Sequence, residues 1–128
     1  MARIQDVAGW CLSIALGLVF LAAGATKFRS PQWEMRFSAW GYPDWFRIAV
    51  GGLEVGCSIL LLVPRARPWA ALVLTTLMLG AAGTHLLNGE APRVVVNIVL
   101  AALLIGAFAL VRRSDPPADP EPHAHRRR

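Results

Sequence analysis

The sequence predicts an all-α membrane protein, a bundle of four transmembrane helices with a short interfacial helix between the first two. Hydrophobic residues make up 55% of the chain and charged residues 16%, against about 45–50% and a quarter in soluble domains. The charges are also segregated. Val7–Thr26, Pro68–Gly89 and Val94–Val111 hold no Asp, Glu, Lys or Arg, and Ile48–Val63 holds only Glu54. Short connections separate these runs, so successive helices are expected to be antiparallel neighbours. The composition excludes a disordered chain, a coiled coil and a disulfide scaffold, and fits a soluble enzyme poorly. At 128 residues the chain holds one domain, residues 1–111, followed by a tail.

A bilayer core takes about 20 mostly apolar residues as helix, which places the spans at about 7–27, 45–63, 68–88 and 93–111. The first has Arg3 before it and Ala23-Gly24-Ala25 near its end, as a signal peptide would. Its apolar run exceeds the usual h-region of about 7–15 residues, so it is expected to be retained. Ser13, Gly17 and Gly24 form a small-residue face suited to helix packing. Next, Ser30-Pro31 reads as an N-cap with proline at the first helical position, and Gly41 as a C-terminal stop. Between them Trp33, Phe37 and Trp40 fall at i, i+4 and i+7, one aromatic face of a helix lying in the outer interface.

The second span begins near Trp45, with Asp44 as its N-cap and Arg47 reaching towards the headgroups. The third carries Thr76, Gly80 and Thr84 as a second small-residue face, and the fourth follows directly. Past Val111 the chain turns to Arg, Pro, Asp and His and cannot bury a core, so residues 112–128 are expected to be disordered.

Basic residues set the expected orientation. With the N-terminus inside, the inner face collects eight, including Arg3, Arg65, Arg67 and the terminal Arg126-Arg127-Arg128, against five outside. Both termini are therefore expected in the cytoplasm. Trp10 and Trp69 at inner ends and Trp40 and Trp45 at outer ends fit interfacial belts. Twelve Arg to one Lys suggests a GC-rich bacterial genome, and hence a bacterial plasma membrane.

Phosphate-binding glycine loops, HExxH, GxSxG and CxxC are all absent from the sequence, so chemistry falls to the few polar groups inside the membrane. Glu54 lies about nine residues from the outer end of its helix, roughly 13 Å down. A carboxylate there must face the bundle and be paired or protonated. It serves either as a proton-handling or substrate-orienting acid, or as a structural polar clamp. Lys27, the one lysine, His85 and Asn97 fall in the outer third, a layer above Glu54. Lys27 could equally be an interfacial cation, His85 a hydrogen-bonded interfacial histidine, and Asn97 an interhelical hydrogen-bonding group. Together the four outline a polar pocket under the aromatic helix. Direct Lys27–Glu54 contact would need the spans shifted by about a turn. Cys11 and Cys57 read as small apolar side chains rather than a redox pair. His123 and His125 are two ligands at most, so no metal site is expected. No nucleic-acid partner is expected either.

Several pieces in order resemble the DoxX family of small bacterial membrane proteins. They are Leu16-Gly17-Leu18-Val19-Phe20-Leu21-Ala22-Ala23-Gly24 running into Lys27-Phe28, and then Trp40-Gly41-Tyr42-Pro43-Asp44-Trp45-Phe46. Gly52-Leu53-Glu54-Val55-Gly56 follows, continuing to Leu60-Leu61-Leu62-Val63-Pro64, and finally Thr84-His85-Leu86-Leu87-Asn88-Gly89-Glu90. The resemblance covers roughly residues 4 to 111 and implies a four-helix membrane bundle. The family takes its name from a subunit associated with thiosulfate:quinone oxidoreductase, and some relatives are linked to membrane redox or oxidative-stress complexes. Lys27, Glu54 and His85 match the family's polar positions. The resemblance thus implies a membrane subunit of a redox complex, with Lys27, Glu54 and His85 handling protons or orienting substrate. Asn97, Trp33, Phe37 and Trp40 would line the substrate pocket. The chain has no outer thiol pair, so electrons would need a quinone or a partner's cofactor. The alternatives are a non-catalytic membrane scaffold recruiting proteins through Trp33, Phe37 and Trp40, and a small-solute carrier.

Overall fold

The computed structural model describes residues 2–114, with side chains over residues 4–110. His123, His125 and the terminal arginines lie outside the described residues. Five helices follow one another: α1 (Ala2–Arg29), α2 (Pro31–Ala39), α3 (Asp44–Leu60), α4 (Arg67–Leu87) and α5 (Ala91–Ser114). The four longer helices form a ring in the order α1, α3, α4, α5, each packed on the two beside it. Among the described residues the diagonal pairs α1/α4 and α3/α5 make no close backbone approach. Short α2 lies across one end, against α3 and α1.

Three helical stretches are long and apolar enough to cross a membrane: Ile4–Arg29, Arg67–Leu87 and Ala91–Leu110, with 26, 21 and 20 residues. Their outward faces are apolar too. Leu18, Leu72, Leu79, Val95 and Val99 are all exposed, as expected where lipid rather than water surrounds the bundle. α3 is different. At 17 residues it is only about 25 Å long, and Leu61–Ala66 leave it as turns ahead of α4. Pro64 explains the stop, since proline disfavours helix in the residue before it. Arg47, Gly51, Glu54 and Ser58, spaced i, i+4, i+7 and i+11, give α3 a polar or small buried stripe, matched on α1 by buried Ser13, Gly17, Gly24 and Lys27.

The helix breaks are local in origin. Pro31 opens α2 after the extended Ser30, whose side chain makes no capping bond. Asp44, expected as the N-cap of the second span, is instead the first residue of α3, with Pro43 as its cap. From there its carboxylate accepts from Arg47 Nη2 at 2.7 Å.

At the end away from α2 an apolar core fills the ring, and Phe20 and Met78 at its top also line a recess above it. Leu16, Phe20, Leu61, Leu74 and Leu104 fill the centre, and Ala70, Ala71, Ala101 and Ala107 let the helices close around them. Cys57 belongs to this core, while Cys11 is exposed, and both are free thiols. Arg67 is buried here as well. Its Nε donates to the Leu61 carbonyl at 2.9 Å and its guanidinium lies 4.2 Å from the Trp10 ring centroid.

Candidate functional site: a polar cavity beneath the aromatic helix

The site begins with two glycines. Gly24 of α1 and Gly51 of α3 face each other so closely that a Cβ on Gly24 would lie 2.9 Å from the Gly51 carbonyl oxygen. One heptad away on both helices, Gly17 lies against Ser58, where a Cβ would come within 3.2 Å of the carbonyl oxygen. These two contacts make one antiparallel seam of small residues. Lys27 and Glu54 each follow a seam glycine by three residues and meet across it. Lys27 Nζ donates to Glu54 Oε2 at 2.7 Å, with the two side chains 8% and 3% exposed.

The sequence placed Glu54 a layer below Lys27, with Lys27 closing its span. Instead α1 continues two residues further to Arg29, and Arg47 donates a hydrogen bond to the Lys27 carbonyl. Lys27 is therefore inside the bundle rather than at its edge. Its ammonium also lies 4.6 Å from the Trp33 ring centroid.

A second polar cluster comes from the end of α4. Gly89 has φ of +72°, a left-handed conformation open to glycine at no steric cost. It closes a Schellman turn, in which the Gly89 N–H donates to Leu86 and the Glu90 N–H donates to His85 at 2.9 Å. That turn folds the Glu90 side chain back on His85, whose Nδ1 lies 2.5 Å from Glu90 Oε2. The other carboxylate oxygen accepts from Arg36 Nη1 of α2 at 2.9 Å. Glu90 thus ties α4 to α2, and the His85 hydrogen bond holds its carboxyl below the ordinary carboxylate value. Burial partly opposes this, while the positive charge of Arg36 adds to it.

α2 ends in the same kind of turn. Gly41 has φ of +83°, and the Tyr42 N–H donates to the Phe37 carbonyl at 3.0 Å. The Tyr42 and Phe37 rings pack at a tilt of 54° with centroids 6.0 Å apart. The Tyr42 and Thr84 hydroxyls are hydrogen-bonded to each other at 2.8 Å, and Thr84 Oγ1 also lies 3.2 Å from the Gly80 carbonyl oxygen.

The hollow between these groups has a volume of about 230 Å³ under α2, α3 and α4. It shares walls with a recess of about 570 Å³ between α1 and α5. All seven residues singled out in the sequence line the first: Lys27 from α1, Trp33, Phe37 and Trp40 from α2, Glu54 from α3, His85 from α4 and Asn97 from α5. They do not form one network. Lys27–Glu54 and His85–Glu90–Arg36 are separate clusters, the second reaching the wall only through His85, and Trp40 packs edge-on against His85 with centroids 5.2 Å apart. The Asn97 amide has no hydrogen-bond partner among the described residues. The aromatic face of α2 points into the bundle, leaving Gln32, Met35 and Ala39 outermost.

Chemically, the arrangement offers a buried acid–base pair that can pass a proton between nitrogen and oxygen, and an uncommitted amide for a ligand's polar atoms. Sequence reasoning overlooked Glu90, Arg36 and Tyr42. The signal was present in the glycines, because a Schellman turn brings the residue after Gly89 or Gly41 against the residue four before that glycine.

A family model described as the DoxX-like family matches residues 11–107, from within α1 almost to the end of α5. No curated protein and no solved structure gives a match. The match takes in the glycine seam and every residue that lines the cavity, and the chain belongs to the DoxX-like family.

Proposed function

We propose that this chain is the membrane subunit, or membrane-bound partner, of a redox complex, and that its cavity receives a quinone head or a small sulfur oxyanion. The supporting observation is the buried Lys27–Glu54 pair in the wall of a cavity lined by all seven predicted residues. An ion pair is expensive inside a membrane and characteristically marks substrate or proton pathways. In this reading Glu54 and Lys27 exchange a proton with the ligand, and His85, held by Glu90, orients it. Electrons come from a quinone or from a partner's cofactor. α3 completes a fourth crossing, with α2 on the outer side and both termini in the cytoplasm of a bacterial cell. The scaffold alternative needs Trp33, Phe37 and Trp40 as a docking face, and their inward orientation counts against it.

Affinity purification from native membranes in mild detergent tests the reading, with co-purifying proteins and extractable quinone assayed together. The expected result is a stoichiometric redox partner or bound quinone, with redox activity lost in Glu54→Gln although the variant inserts normally. Non-redox partners, no quinone and an unaffected Glu54→Gln would sink the proposal in favour of a scaffold.

A further inference from the structure

The cavity is roofed, and its α1–α3 side is sealed. Above it, Phe37 is 6% exposed and packs against Trp33, Trp40, Tyr42 and Phe46, forming an aromatic roof. The α1–α3 side is closed by Gly24 against Gly51, while the α3–α4 side, the most loosely packed of the ring, is bridged near the roof by the Tyr42–Thr84 hydrogen bond and keeps Thr76 and Gly80 exposed in its wall.

The α1–α5 side is built differently. No hydrogen bond or ion pair joins residues 19–27 to residues 92–100 among the described residues. The larger recess runs along this gap from Pro92 to Leu100, about 12 Å of helix. Its rim is apolar and outward-facing, with Val19 47% and Val96 57% exposed. Trp33 crosses the top, with Lys27 Nζ 4.6 Å and the Arg93 guanidinium 5.8 Å from its ring centroid.

We infer that the cavity takes its ligand from the bilayer, sideways between α1 and α5, and that the ligand is an amphiphile with an oxygen-acceptor head and one apolar chain. This rests on the reading of the cavity as a ligand site and adds the ligand's class and route. The head's chemistry follows from the groups without a close polar partner. Lys27 is balanced by Glu54 and Arg36 by Glu90, whereas Arg93 lies over the Trp33 ring and acts on Glu90 only from beyond ion-pair distance, with no carboxylate at that distance among the described residues. Arg93 at the mouth and the Asn97 amide inside therefore offer donors to a carbonyl or carboxylate oxygen. The chain's place follows from the recess below, walled by Val19, Phe20 and Leu100. A water-borne solute would have to pass the aromatic roof, while a bilayer-dissolved chain meets only apolar surface.

The full-length protein in lipid nanodiscs would be irradiated with a diazirine-bearing palmitate, and the adducts mapped by mass spectrometry. Phe20 and Met78 are buried cavity residues, and labelling there, competed by excess unlabelled palmitate or a short-chain quinone, is expected. Val96→Trp, filling the rim, should abolish those adducts while leaving labelling of lipid-facing Val95 and Val99 intact. The latter also reports that the variant is folded. Adducts confined to Val95, Val99 and other outward residues would overturn the inference, as would cavity adducts that survive Val96→Trp. An empty cavity in this assay, with redox activity still dependent on Glu54, would leave the proposed function standing and remove only the lateral amphiphile. Cavity adducts without any redox partner would do the reverse.

Discussion

Lys27 ends a long apolar run, and a lysine there ordinarily extends its stem to place the ammonium among the headgroups. Here it turns inward because Glu54 waits across a glycine seam and the Trp33 ring covers it. Breaking a buried pair by removing one member costs about 3–5 kcal/mol, since the remaining charge has no counter-ion. Lys27→Met is expected to destabilise the protein by that order in a detergent denaturation series. Lys27→Met/Glu54→Gln should recover most of the loss, because the glutamine needs no counter-charge. Equal stability of the wild type and Lys27→Met would show that the pair contributes nothing. Glu90 makes a second, pH-dependent case. A carboxyl whose folded value is depressed stabilises the fold above its unfolded value, 4.5 here, and that contribution disappears as pH falls through the lowered value. Melting temperatures should therefore show Glu90→Gln less stable than the wild type near neutrality, with the gap closing in acid below about pH 4.5. A gap that persists unchanged into strong acid would contradict this.

Among the elements, α1 and α3 are set by their contact rather than by their own propensities. Gly24 permits the approach that puts Lys27 on Glu54, because a Cβ there would meet Val55 at 2.8 Å and the Gly51 carbonyl at 2.9 Å. Forcing a methyl into such a contact costs about 1–3 kcal/mol. Gly24→Ala should lower stability by this amount and, by parting the helices, weaken the Lys27–Glu54 contact. Gly52 is one residue from the seam glycine, yet a Cβ on it meets nothing within 4 Å. Gly52→Ala should be neutral or stabilising by up to about 1 kcal/mol, as for a glycine replaced inside a helix. Measuring both variants by the same denaturation assay checks the pair, and equal effects would show that the seam is not tight. The elements differ in how legible they were. α2 was plain in the sequence because Ser30, Pro31 and Gly41 act on their immediate neighbours. α3 was not, because its hydrophobic run continues through Leu61–Val63 and only Pro64 marks where the helix gives way to turns.

On the scale of the whole molecule, the open question of chemistry becomes one of topology. Three helices satisfy the requirements of a span among the described residues, and α3 is the shorter one between α2 and α4. If α3 crosses, the α2 end and the α3–α4 turn lie on opposite sides of the membrane. Single cysteines at exposed Ser38 and Arg65, in a chain with Cys11 and Cys57 replaced by alanine, should then react with an impermeant maleimide from opposite faces of sealed vesicles. Reaction of both from one face would mean that α3 does not cross. Membrane residence, the apolar helices other than the end of α3 and the polar residues inside them could be read from the sequence alone, because hydropathy, caps and turn glycines act over a few neighbouring positions. The partner of each polar group was decided only by the tertiary structure. Each helix can turn by a fraction of a rotation or slide by one turn without changing its hydropathy, yet either shift would separate Lys27 from Glu54. Close packing at Gly24 and Gly51 removes that freedom, and the Arg36–Glu90 pair and the Phe37 ring contacts hold the α2 roof over the hollow.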